Sequence, residues 1–266
     1  MTQRILITGA AGIVGTLMRT RLRKDDRILR LLDIAAVEPS DDDEVITASV
    51  TDAAAMAEAC KDVDAVIHLG GHSRENSWEE ILSVNIHGTQ VVLDSARAAG
   101  VGRVILASSN HAAGFRPIGS ELPADSSPRP DTYYGVGKAA MEALGSLYHS
   151  RFGMDVIVIR IGSCFPTPLP LGKRGLTTWL SPDDGARLFE ACLAAPSPGY
   201  RMIWGVSNNT RRIYSLDEAR ALGYEPQDNS EDYAGQLADA PDPEGIAAAY
   251  VGGPFCTAPL GYYNPL

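Results

Sequence analysis

The sequence predicts an α/β fold built on a doubly wound parallel sheet of about seven strands, with a small additional part near the C-terminus. Two observations predict it. Seven short, almost wholly apolar runs alternate with helix-like segments, as strands buried on both faces alternate with the helices that cover them. The first run also ends in a glycine triplet that opens directly into a helical pattern.

In chain order, "RILITG" (4–9) is the first strand and a helix follows over about 13–23. Between them Gly9, Gly12 and Gly15 form G-x-x-G-x-x-G. The first glycine permits a tight turn, the second a close backbone approach to a pyrophosphate, and the third close packing of helix on strand. Free N–H groups and the helix dipole favour an anion at that helix start. The sheet is therefore read as Rossmann-like, with a dinucleotide at its first turn. "ILRLLD" (28–33) ends in Asp33, about twenty residues past the glycines. A carboxylate there accepts hydrogen bonds from the adenosine ribose hydroxyls and repels the extra phosphate of NADP. No arginine immediately follows Asp33, so NAD is the expected cofactor.

The next runs are "EVITASV" (44–50) and "AVIHLG" (65–70), with a helix over about 52–60 between them and a longer one over 77–99. "RVILASS" (103–109) then breaks into Ser108, Ser109, Asn110 and His111. Four polar residues at the end of a central strand stand where such folds bind ligands. A helix over about 134–151 carries Tyr134 and Lys138 one turn apart, on one face. Val136, Ala140, Leu144 and Leu147 supply its expected apolar stripe, and Gly153 its stop. "DVIVIRIG" (155–162), a helix over 183–195 and "MIWGVS" (202–207) complete the alternation. The proline- and glycine-rich 165–175 is a loop, and one short helix is expected near 216–222. Residues 1–266 are read as one domain, in which about 164–180 and 208–266 form small substrate-side elements.

Composition narrows the function classes. Hydrophobic residues make up 45% and charged residues 21%, as in a soluble globular protein. A net charge of −10 argues against non-specific binding to nucleic acid or anionic membrane. The acidic runs at 41–44 and 241–244 are read as solvated loops. The four cysteines form no C-x-x-C pair, which fits a reducing cytoplasm rather than a zinc site or a disulfide framework. The start runs straight into the first strand, so no signal peptide is expected, and no long uncharged apolar window suggests a membrane span. His68 and His72 read as a strand and a loop residue, with no metal.

Tyrosine, lysine and serine in this arrangement suit hydride transfer from a carbinol. The hydroxyl proton must leave, and a free phenol is a poor base at neutral pH. A neighbouring ammonium and the positive nicotinamide ring would lower the Tyr134 pKa, while Ser109 orients the substrate oxygen. Here the chain resembles the extended branch of the short-chain dehydrogenase/reductase superfamily. The residues that carry this are the glycine motif, Ser109, Tyr134-Gly-Val-Gly-Lys138, and "NIHGT" (85–89), across roughly residues 4 to 207.

The loops "GGHS" (70–73), "ASSNHAAGFRP" (107–117), "RIGSC" (160–164), "KRGLTTWLS" (173–181) and "IWGVS" (203–207) further resemble the uronate dehydrogenases. That resemblance implies oxidation of the C1 hydroxyl of cyclic glucuronate or galacturonate to an aldarolactone with NAD. It implies Tyr134, Lys138 and Ser109 as catalytic residues. The implied cofactor set is Gly9, Gly12, Ile13, Gly15, Asp33, Val50, Leu69, Gly70, Asn85, Tyr134 and Lys138. Substrate contacts fall to Ser73, Ser109, Asn110, His111, Tyr134, Ser163 and Arg174. Arg174 is the expected carboxylate partner, since guanidinium makes two parallel charge-assisted bonds to a carboxylate. A homo-oligomer is also implied, with helices 77–99 and 134–151 as its expected interface. One departure is Ser49, where many relatives have Asp; the adenine contact then falls to the Val50 backbone.

Three alternatives stay open at this point. A neutral aldose such as arabinose, galactose or xylose would use the same apparatus and leave Arg174 a surface residue beside Lys173. A nucleotide-sugar epimerase or dehydratase shares Ser, Tyr and Lys, but usually has a larger C-terminal lobe. A cofactor-sensing protein would have no need of an intact Tyr134 and Lys138.

Overall fold

The computed structural model describes residues 2–40, 42–119 and 121–262. Met1, Asp41 of the first acidic loop, Ser120 and residues 263–266 lie outside them. The strands are β1 (Gln3–Thr8), β2 (Arg27–Asp33), β3 (Glu44–Thr47), β4 (Ala65–His68), β5 (Arg103–Ser109), β6 (Asp155–Ile161), β7 (Ser163–Cys164), β8 (Trp179–Leu180) and β9 (Tyr200–Gly205). Seven of them form one parallel sheet in the order β3-β2-β1-β4-β5-β6-β9, and β7 pairs with β8 beside it. The order reverses between β1 and β4, which opens a crevice at their carboxyl ends.

Period-two alternation splits each strand between two cores. Ile5 and Ile7 of β1 join Ile105, Ile157 and Ile203 on one face, while Leu6 joins Val66, Val104 and Val158 on the other. The first face is covered by α1 (Ile13–Arg21). The second is covered by α2 (Ala53–Ala59), by a long helix made of α3 (Trp78–Glu80), a π-helical Ile81–His87 and α4 (Gly88–Ala98), and by α5 (Tyr133–Phe152). After the short α6 (Gly175–Thr178), α7 (Pro182–Ala194) returns to pack against α1. All seven expected strands and five main helices are present, with ends shifted by a few residues.

Three differences from the sequence reading have physical causes. The helix over 77–99 is interrupted by the π segment. There the Thr89 hydroxyl donates to the Asn85 carbonyl at 2.6 Å, and Gly88 N–H reaches back to Ser83. The last strand starts at Tyr200, because Val156 N–H already pairs with the Gly199 carbonyl; by Ser207 the chain has turned toward Trp179. On α5 the stripe Val136, Ala140, Leu144 and Leu147 is not the buried one. The face carrying Tyr134, Gly137, Lys138, Met141, Gly145 and Tyr148 packs inward, and Leu147 is half exposed. Gly137 and Gly145 let that face approach its neighbours: a Cβ at either would lie 2.8 or 3.0 Å from Ile81 or Val156.

Candidate active site

The carboxyl ends of the sheet border a cavity of about 780 Å³ that runs from the glycine turn to Arg174 and Phe255. At one end Gly9 adopts φ +72°, and a Cβ there would sit 2.7 Å from the Leu69–Gly70 backbone. A Cβ on Gly15 would lie 2.2 Å from the Gly9 carbonyl, so α1 rests directly on the turn. Gly12, the N-cap of α1, has no side-chain cap, and the first turn of the helix holds no acidic residue. Its leading N–H groups are thus left for an anion. Asp33 Oδ2 accepts from Ala11 N–H at 2.9 Å and Oδ1 from Ala35 N–H at 3.0 Å. The carboxylate is held at the cavity wall with further lone pairs to offer. Val50, Leu69 and Gly70 complete this end, while Asp52 is spent capping α2. This end fits a dinucleotide: a bare helix start for the pyrophosphate and a fixed carboxylate for a ribose.

Midway along, Ser109, Tyr134 and Lys138 meet. β5 ends at Ser109, and Thr132 caps α5 by accepting from Gly135 N–H. Two backbone N–H groups of the first turn, Tyr133 and Tyr134, are taken by the buried Glu75 carboxylate at 3.3 and 2.8 Å. Burial pushes the Tyr134 phenol up to about 12; its hydrogen bond with Ser109 pulls it down, and the Asp131 charge adds to the rise. The shift of the chain alone is upward, whereas the expected lowering by Lys138 and the nicotinamide ring belongs to the complex with cofactor. The ammonium lies 5.6 Å from the ring centroid and donates to the Ala107 carbonyl at 2.7 Å. Lys138 is itself brought down to about 8 by burial, against the opposing pull of Glu142. Glu142 is gripped in turn by the fully buried Arg160, through bonds of 2.8 and 2.7 Å, and by Ser108 at 2.7 Å. His68 is buried between Thr8 and Thr89, and burial together with Lys138 drops it to about 3, so it stays neutral. Among the described residues no cluster of three or more His, Cys, Asp or Glu is arranged for a metal.

At the far end Ser73, His111, Ser163 and Arg174 line the wall. Arg174 donates to the Val251 carbonyl at 2.7 Å, which ties it to the C-terminal segment. That segment also delivers Phe255, stacked on His111 with centroids 3.9 Å apart. Its Gly261 N–H donates to Glu75 at 2.9 Å.

A model of the NAD dependent epimerase/dehydratase family matches residues 5–166. The chain belongs to this family. Uronate dehydrogenase of Pseudomonas putida is 42% identical to it, over 96% of each chain. NAD-dependent glucose-6-phosphate dehydrogenase of Haloferax volcanii is 40% identical, over 88% of this chain and 96% of its own. The solved structure of a mutant uronate dehydrogenase from Agrobacterium tumefaciens, complexed with NAD, superposes with a TM-score of 0.92 at 37% identity, covering 97% of this chain and 98% of that one.

As a member of the epimerase/dehydratase family, the chain brings fifteen of its seventeen expected site residues to one cavity wall, and two stand elsewhere. Asn85 lies in the π segment with its amide bonded to both backbone groups of His72, at 2.8 and 2.9 Å. It braces the 70–77 loop instead of facing the cavity. Asn110 is fully buried behind Ser109, whose hydroxyl donates to it at 3.2 Å. Sequence reasoning missed Glu75, Asp131 and Phe255. Asp131 stands three residues before Tyr134, and Glu75 two after Ser73, but neither position has a periodicity that announces it. Phe255 comes from the C-terminal segment, with nothing in its neighbourhood to announce it.

Proposed function

We propose that the chain oxidises the C1 hydroxyl of a cyclic hexuronate, glucuronate or galacturonate, to an aldarolactone with NAD. The observation that carries this reading is one continuous cavity. It joins the glycine turn and Asp33 to Ser109, Tyr134 and Lys138, and these to Arg174. The uronate dehydrogenase relatives, alike over nearly their whole length, support it.

Gly9, Gly12, Ile13 and Gly15 hold the pyrophosphate, Asp33 the adenosine ribose, and Val50, Leu69 and Gly70 the adenine side. NAD, when bound, would supply the hydride acceptor and a positively charged nicotinamide. Tyr134 takes the C1 hydroxyl proton as the hydride leaves, so the C1 oxygen becomes the lactone carbonyl. Ser109 donates to that oxygen and orients it. Lys138, fixed on the Ala107 carbonyl, carries charge toward both the phenolate and the nicotinamide ribose. Arg174 receives the uronate carboxylate in a bidentate contact, and Ser73, His111 and Ser163 take ring hydroxyls. The small elements at about 164–180 and 208–266 build the substrate side. The reading includes a cytoplasmic homo-oligomer. All four cysteines are free, no described helix is long and apolar enough to cross a membrane, and Leu147 and Phe152 of α5 are half exposed, all of which support this.

The test is NADH formation by purified protein with glucuronate, galacturonate, glucose 6-phosphate, arabinose, galactose and a UDP-sugar, each with NAD and with NADP. Turnover confined to uronates and NAD is expected. Equal turnover of neutral sugars would remove the role given to Arg174, and preference for the sugar phosphate would change the anion it receives.

A further inference from the structure

His111 and Asp131 form a pair whose construction goes beyond a simple contact. The Asp131 side chain is wholly enclosed, with Oδ2 2.7 Å from His111 Nδ1. Its other oxygen accepts from the Thr132 hydroxyl at 2.9 Å. Three chain segments make room for this carboxylate with glycine. A Cβ on Gly114 would lie 2.0 Å from Oδ2, one on Gly252 1.9 Å from it, and one on Gly135 3.0 Å from Oδ1. The imidazole is held on its other sides as well. The ring stacks on Phe255 and meets Tyr134 edge to face with centroids 5.8 Å apart, while the backbone N–H of His111 donates to Ser109 Oγ at 3.2 Å. Nδ1 faces the carboxylate, and His111 is part of the cavity wall.

We propose that Asp131 is a positioning residue that fixes His111 as the Nδ1–H tautomer, so that the bare Nε2 lone pair faces the cavity as a hydrogen-bond acceptor. An ionised carboxylate only accepts, so the proton between the two belongs on Nδ1. Nε2 then accepts only from a group that brings an O–H or N–H. Resting on the hexuronate reading, that group is a ring hydroxyl. The sugar carboxylate, which has no proton to give, is left to Arg174. Specificity at this wall thus depends on a residue that never touches the sugar.

The experiment is nitrogen-15 NMR of the imidazoles in the cofactor-free protein at about pH 9, well above the ordinary histidine pKa. His111→Gln assigns the resonance by its loss. Wild type is expected to show Nδ1 protonated and Nε2 bare. In Asp131→Asn the Thr132 hydroxyl claims the amide oxygen, the amide N–H faces Nδ1, and the proton moves to Nε2. The wild-type tautomer tests the proposal whether or not a variant folds, and a second variant acts on the same carboxylate from the facing segment. Gly252 has φ −69°, open to any residue, and Gly252→Ala presses only on its neighbours, chiefly Asp131; it should lower the Nδ1–H share. With uronate, Asp131→Asn should raise KM roughly tenfold and change kcat less, the pattern of a lost binding contact. Protonated Nε2 in wild type, or an unshifted tautomer in both variants, overturns the proposal. If the tautomers behave as expected while wild type fails to oxidise uronates, the hexuronate reading falls and the positioning role stands.

Discussion

Replacing Lys138 with methionine should make the cofactor-free protein more stable at neutral pH while abolishing turnover. Lys138 is 5% exposed and its ammonium is brought from 10.5 to about 8. Below pH 8 both folded and unfolded chains carry the proton, and the folded state bears the whole cost of burying the charge. Between about pH 8 and 10.5 the unfolded chain binds the proton more tightly, so wild-type stability rises with pH across that window. A shift of this size corresponds to about 3 kcal/mol at 1.36 kcal/mol per unit. Methionine also gives up the bond to the Ala107 carbonyl, about 1 kcal/mol. The net gain at pH 7 is then on the order of 2 kcal/mol. Urea unfolding of both proteins, from about pH 7 to 10, reads the difference directly. The thiols and phenols that burial also perturbs are common to both chains and cancel. The variant should lead at pH 7, and wild type should close the gap by pH 10. A gap independent of pH would refute the argument, since it would mean that Lys138 is not held as a costly buried cation.

Asp33→Ala should raise kcat/KM with NADP relative to NAD; an unchanged ratio would show that Asp33 does not read the ribose. Arg174→Ala should raise KM for uronates by about two orders of magnitude, as expected for loss of a charge-assisted pair, and leave neutral sugars nearly unaffected. A uniform effect would show that the guanidinium serves only to hold the Val251 carbonyl. Gly15→Ala drives a Cβ onto the Gly9 carbonyl. It should cost about 1–3 kcal/mol and abolish NAD binding by titration, whereas normal affinity would mean the turn has slack.

Strands and helices were legible because burial on both sheet faces leaves continuous apolar runs, and because Gly153 marks a helix end with local chemistry. The glycine turn and the Tyr134–Lys138 pair were legible because their spacing is short and fixed by backbone geometry. What stayed hidden depends on contacts far apart in sequence. Glu75 reaches α5 across 59 residues and Arg160 reaches Glu142 across 18. No pattern in either neighbourhood pairs them. The inward face of α5 was misread because the apolar stripe looked like the core. The face that packs is set instead by glycine clearance, by the polar Tyr134 and Lys138, and by Glu142. The direction of the Tyr134 shift was also beyond the sequence, since it depends on how deeply the phenol is enclosed.

The segment from Val251 to Gly261, which ties down Arg174, brings Phe255 against His111 and closes on Glu75, bears on how the enzyme is made. On the ribosome the glycine turn emerges before that segment, and the strands around it can begin to fold while synthesis continues. The wall opposite is supplied by residues translated well after it. A nascent chain can therefore own a nucleotide cradle before it owns a place for sugar. Ribosome-bound intermediates stalled before residue 251 would be expected to hold dinucleotide without turning over, and activity to appear only once the segment from Val251 to Gly261 has left the ribosome.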